Sequence, residues 1–188
     1  TQAVVSAFLL AFAVGIPFTG PISDRYGRRP MILGGLVVFA VGAAIAAWAP
    51  TLTVLVVARV IQALGCAATF TAARAVLGDL YQDWRLPRAL ANVTMAMMIG
   101  TTVSPWLGGV ITEALGWHAP FLMLLALSVV VWIVVWRLLP ETHVRHDADV
   151  TFAQLGRSSL QVLRKPMFLA CAIDAGVIYA VYLAFIAA

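Results

Sequence analysis

No Asp, Glu, Lys or Arg occurs from Pro30 to Ala58, from Ala89 to Thr112 or from Ala114 to Trp136. Each exceeds the roughly 20 residues that cross a hydrocarbon core about 30 Å thick as a helix. Such runs are membrane spans, and that constraint precedes every other. The composition agrees: 63% of the 188 residues are hydrophobic, 11% are charged and the mean hydropathy is +0.98. A soluble domain has about 45–50% apolar and about 25% charged residues. A soluble enzyme, a disordered tail and a small disulfide scaffold are thereby excluded. The formal charge of +4 and the sequence pI near 9.6 belong to the membrane and not to a nucleic-acid partner, because the cations lie in short stretches between spans with no basic stripe and interleaved aromatics. Cys66 and Cys171 sit inside apolar runs without ligand spacing and read as small buried hydrophobes.

Charge, Gly and Pro divide the chain into six candidate helices, from Gln2 to Thr19, Met31 to Ala49, Thr51 to Ala73, Ala89 to Thr112, Pro120 to Trp136 and Met167 to Ala188. The connectors Gly20 to Pro30, Gly78 to Arg88 and Pro140 to Pro166 are charged; Pro50 and Glu113 to Ala119 are short and carry no Lys or Arg. Ten of the 12 basic residues lie in or beside the charged connectors. Positive residues stay on the cytoplasmic side during insertion, so these three connectors face the cytoplasm and both ends of the chain face outward. Trp48 and Trp117 then fall near the outer surface and Trp84 and Trp136 near the inner one, as an aromatic belt requires. Thr151 and Gln154 resemble a capping box, and Phe152, Leu155, Ser159, Val162 and Leu163 follow at helical spacing opposite Arg157 and Arg164. The expectation is a short helix on the cytoplasmic face; a disordered linker is the alternative. With Thr1 in place of Met and an apolar end at Ala188, the sequence reads as a segment of a longer protein.

Four groups of residues carry chemistry. The first connector holds Gly20, Asp24, Gly27, Arg28 and Arg29 in the pattern G-x-x-x-D-x-x-G-R-R. Gly supplies strained turn positions, Pro30 suits a first helical turn, and a carboxylate beside several guanidiniums makes an ion-pair cluster; a positive-inside anchor is the plainer reading. The third span holds Arg59, Gln62 and Gly65. Arg59 lies roughly 12 Å deep by the helical rise, where a lone Arg costs about 2.5–3.5 kcal/mol, so it faces protein or an aqueous cavity and has a partner. Gln62 shares its face; an Arg capping carbonyls of a neighbouring helix is the alternative. Arg74, about four turns nearer the cytoplasm, is able to snorkel. In the fourth span, Gly100, Ser104 and Gly108 form a small-residue stripe that permits close helix contact, and Pro105 favours a bend. Asp174, roughly 13 Å into the sixth span, suits proton or cation handling, or merely lines a pore. Glu113, His118, His143 and His146 read as solvated. No HExxH, GxSxG or acidic metal cluster occurs, so neither an enzyme nor a metal or cofactor site is expected.

The first motif resembles the signature of the major facilitator superfamily in the loop between its second and third helices. Laid against that family, the chain is similar to helices two to seven of a twelve-helix transporter. The stretch from Ser6 to Pro30, with Arg59-Val-Ile-Gln62-Ala-Leu-Gly65, looks most like the Bcr/CflA group of drug efflux proteins. The resemblance implies an all-α integral-membrane bundle with residues 1–139 in the first half, 140–166 as the cytoplasmic link and 167–188 opening the second half. It implies that Asp24 and Arg28 latch the cytoplasmic side of the two halves in the outward-facing state, with Gly20 and Gly27 as turn residues. Arg59 and Gln62 match the fourth-helix motif, for which it implies a part in proton coupling. Gly100, Ser104, Pro105, Gly108 and Gly109 are similar to the antiporter signature G-x-x-x-G-P-x-x-G-G, with Ser104 in place of Gly. The implied function is proton-coupled export of drug-like molecules by a protein monomeric at full length in the cytoplasmic membrane; a metabolite such as a sugar or amino acid is the alternative cargo.

Overall fold

In a computed structural model, residues 2–81 and 83–141 are described, and they form five helices: α1 Gln2–Tyr26, α2 Arg28–Ala47, α3 Leu52–Leu80, α4 Arg85–Leu115 and α5 Ala119–Leu138. All five are long and apolar enough to cross a membrane. The expected sixth span, the amphipathic helix, Cys171, His143, His146 and Asp174 lie outside the described residues. Among the described residues no strand occurs, as a lipid solvent demands of a chain whose backbone bonds must close within each segment.

The spans fall where charge, Gly and Pro punctuation put them, but α1, α3, α4 and α5 extend beyond the expected bounds. The connector expected over Gly20 to Pro30 is helical through Tyr26, and the break is Gly27 alone, at φ +97°. Gly20 is therefore not a turn residue. It lies inside α1, where an added Cβ would sit 3.7 Å from the Thr71 methyl of α3. Beside it the Thr19 hydroxyl donates to the Ile16 carbonyl and reaches the Thr71 hydroxyl at 3.0 Å. Packing on α3 thus carries the helix past Pro17, Gly20 and Pro21, overriding local breaker signals. In the same way α3 runs through Gly78 to Leu80 before the chain turns.

The core of the bundle is a seam of small residues. α3 packs against α1 and α2, and α2 also against α5. Ala43, Ala46, Ala58, Ala63, Ala67 and Ala72 are essentially inaccessible. Gly42 gives a close approach: an added Cβ would stand 2.6 Å from the Gln62 amide nitrogen. Gly65 is met more tightly still by Phe39 and Gly35 of α2. With lipid as apolar as Leu, contacts of this kind and not side-chain bulk hold spans together, while Val37, Val41, Val57, Val129 and Val130 lie exposed on the outer faces. α4 stands at the margin, with light contacts to α3 and α5 and no buried residue.

Candidate functional site

At one end of the bundle four helices meet around Arg28, which begins α2. Its guanidinium pairs with Asp24, four residues back on α1, and donates through Nε to Asp79 Oδ2 of α3 at 3.1 Å and through Nη1 to the buried Ser23 hydroxyl at 3.2 Å. The Arg28 side chain is 10% exposed, against 56% for Asp24 and 29% for Asp79. A buried cation needs such company.

The backbone start of α2 is equally well matched. Each helix begins with four N–H groups that lack intrahelical acceptors. Here Gly27 donates to the Ser23 carbonyl at 3.0 Å, Arg28 and Arg29 donate to the two carboxylate oxygens of Glu141 at 2.9 and 3.2 Å, and Pro30 has no N–H. Glu141, just beyond α5, is a cap supplied from a distance, placing negative charge at the positive end of the helix dipole. A Cβ on Gly27 would lie 2.7 Å from Glu141 Oε2, so that position requires glycine for its φ and for space. Arg29 Nη2 donates to the Trp136 carbonyl at 2.6 Å, drawing the last turn of α5 to the same point. Asp79, Ser23 and Glu141 were not singled out in the sequence. Asp79 and Glu141 lie 51 and 113 residues from Arg28, where spacing carries no signal.

The second constellation lies deeper. Arg59 Nη1 donates to Gln62 Oε1 at 3.0 Å, and its guanidinium carbon sits 4.7 Å from the centre of the Phe121 ring of α5. The expected partner for a membrane-embedded Arg is therefore an amide and an aromatic face, a cation–π contact worth about 2 kcal/mol when desolvated. Gln62 is fully buried, and Arg59 Nε and Gln62 Nε2 are buried donors with no acceptor among the described residues. Gly42 makes this possible by letting α2 approach the Gln62 backbone. Phe121 itself packs with Ala46, Ala47 and Ala58. His118, expected to be solvated, is exposed and also reaches the Ala47 carbonyl through Nδ1. A carbonyl only accepts, so Nδ1 carries the proton and the imidazole caps the C-terminal end of α2. Arg74 is exposed, with its guanidinium 4.5 Å from the Phe70 ring centre.

The α4 motif is placed differently from either. Gly100, Gly108 and Gly109 have nothing within 4 Å of an added Cβ, so the close contact expected of the stripe is not made among the described residues. Pro105 lies within a continuous helix and cannot donate to the Thr101 carbonyl four residues earlier. The Ser104 hydroxyl donates to that same carbonyl at 3.3 Å. The departure from the glycine of the signature thus replaces a bond that the proline removes. Among the described residues no group of His, Cys, Asp or Glu is able to hold a metal ion.

The family model described as Major Facilitator Superfamily matches residues 1–188. The chain belongs to that superfamily. The multidrug resistance protein D of Escherichia coli is 36% identical over 141 residues, covering 75% of this chain and 36% of that protein. A bicyclomycin resistance protein homolog of Haemophilus influenzae is 29% identical, covering 78% of this chain and 37% of its own length. The drug efflux pump JefA of Mycobacterium tuberculosis is 33% identical over 70% of this chain and 26% of its own. These relatives agree with the likeness to the Bcr/CflA type. The chain spans under two fifths of the length of each of these relatives, and as a member of this superfamily with five apolar helices among its described residues it is a multi-pass membrane protein.

Proposed function

We propose that the chain is part of a proton-coupled exporter of drug-like small molecules, working by alternating access in the cytoplasmic membrane and monomeric at full length. In this reading residues 1–139 belong to the first helical bundle, 140–166 link the halves and 167–188 begin the second. The observation that carries it is the Arg59–Gln62 pair: a charge held deep in an apolar span with two buried donors that find no acceptor among the described residues. Buried donors of that kind cost free energy until an acceptor arrives. A carboxylate that approaches them must be ionised, and one that leaves them is free to take up a proton. Arg59 biases the proton occupancy of an acid as the cavity changes access. Asp174 is the intramembrane carboxylate assigned here to proton handling. The names of the relatives above support drugs as cargo. Asp24 and Arg28, with Gly27 and Arg29, serve as the cytoplasmic latch, and the Gly100 to Gly109 stretch of α4 as the segment that moves.

Everted vesicles carrying the full-length transporter, energised by respiration, test this by uptake of a fluorescent drug. Asp24→Asn and Arg59→Ala are expected to abolish proton-gradient-driven uptake while membrane insertion stays normal. Unchanged uptake in both variants would sink the mechanism.

A further inference from the structure

Two arginines without acidic partners among the described residues stand at the turn between α3 and α4, and the proposed transport mechanism assigns them no role. α3 ends at Leu80, the residue before it, Asp79, binds Arg28, and the turn passes through Asp83 at φ 54° into Arg85. The turn therefore lies at the same end of the bundle as the Arg28 cluster. Beside it is a hollow of about 340 Å³ lined by Tyr81, Trp84, Arg85, Arg88, Ala89 and Asn92. Trp84 is 67% exposed, and the Arg85 guanidinium lies 5.5 Å from its ring centre. Among the described residues no carboxylate forms an ion pair with Arg85 or Arg88, whereas Arg28 has two. A second hollow, which shares Tyr81, Trp84 and Arg85 with the first, includes Asp83, whose charge repels anions, so an anionic ligand belongs in the hollow that Arg88 lines.

We propose that Tyr81, Trp84, Arg85, Arg88 and Asn92 bind the phosphate of an anionic lipid headgroup. A guanidinium matches two phosphate oxygens at once, which an ammonium does not. Tyr and Trp settle at headgroup level, and basic pockets at the cytoplasmic ends of spans attract anionic lipids. Arg85 and Arg88, one turn apart, present two such forks to a single phosphodiester, with the Asn92 amide a further turn along for the glycerol oxygens. Trp84 at the N-cap supplies no side-chain acceptor to the α4 amides, which adds to the positive potential there.

The test titrates the purified full-length transporter in detergent with phosphatidylglycerol, phosphatidylethanolamine or inorganic phosphate, following thermal unfolding. Phosphatidylglycerol alone is expected to give a saturable rise in melting temperature. Arg85→Gln with Arg88→Gln lowers its apparent affinity roughly tenfold or more. Arg85→Lys with Arg88→Lys keeps the charge that governs insertion but loses the paired hydrogen bonds, and falls between; it decides the matter if the Gln pair does not fold. An undiminished response in the Gln pair, or a Lys pair equal to the parent, overturns the site in favour of a general cationic belt. An equal response to inorganic phosphate overturns the lipid as its ligand.

Discussion

Gly27 and Glu141 show how one position answers to two constraints. The φ of +97° strains any residue with a Cβ, and the Glu141 carboxylate occupies the space a Cβ needs. Gly27→Ala is therefore expected to destabilise by about 1–3 kcal/mol, read as a lower midpoint in thermal unfolding of the full-length protein. Glu141→Ala orphans the Arg28 and Arg29 amides and costs about 0.5–2 kcal/mol, the range for a lost cap; Glu141→Gln keeps an acceptor oxygen and loses less. The glycine was legible from the motif alone. Its partner was not, because a cap 113 residues away leaves no local pattern. Ser104 makes the reverse case, a departure from a motif that the structure explains. Ser104→Gly restores the family residue and removes the only side-chain bond to the Thr101 carbonyl seen among the described residues, so α4 should loosen at Pro105. Faster amide exchange confined to residues flanking Pro105, with Ser104→Ala behaving likewise, is the expected result. Unchanged exchange in both refutes it.

Charges, Gly and Pro between apolar stretches located all five described spans, since hydropathy reports where lipid surrounds the chain. They placed the helix ends short, because helices stop where backbone bonding stops, and ion pairs and caps carry α1 to Tyr26 and α3 to Leu80. The α2–α3 seam was the less legible feature. Gly65 drew notice through R-x-x-Q-x-x-G, yet its neighbours Gly35 and Gly42 did not, as glycines in an apolar run look alike until the facing helix is known. Gly42→Val drives a side chain into the backbone at Gln62 and separates α2 from α3, which also carries Arg59. The expected outcome is a transporter that inserts but unfolds at markedly lower temperature, with overpacking costing about 1–3 kcal/mol. Gly34→Val, with open space around it, is the matched control and should leave the melting curve in place.

Charge is distributed over the whole bundle in two ways, and they do different work. Arg59, with Gln62 and Phe121, sits inside the apolar body, where depth alone announced it in the sequence. The cluster around Arg28 gathers α1, α2, α3 and the end of α5 at one surface, where only its Asp24 arm, four residues away on the chain, was readable. The two carboxylates on Arg28 are not equivalent. Asp79, the more enclosed, ties α3 to α2, whereas Asp24 is 56% exposed and has a side free to exchange partners when the bundle tilts. If Asp24 belongs to the moving contact and Asp79 to the fixed one, neutralising each should separate stability from transport. Asp79→Asn is expected to lower the unfolding temperature, by an amount equivalent to about 1–3 kcal/mol for a partner removed from an enclosed charge, and to slow efflux only in proportion to the folded protein lost. Asp24→Asn should leave unfolding nearly unchanged, since pairs open to water contribute about 0–1 kcal/mol, and abolish efflux per folded molecule. Drug efflux in vesicles, normalised to folded transporter, distinguishes them, and equal losses from both substitutions would assign the two carboxylates a single structural role.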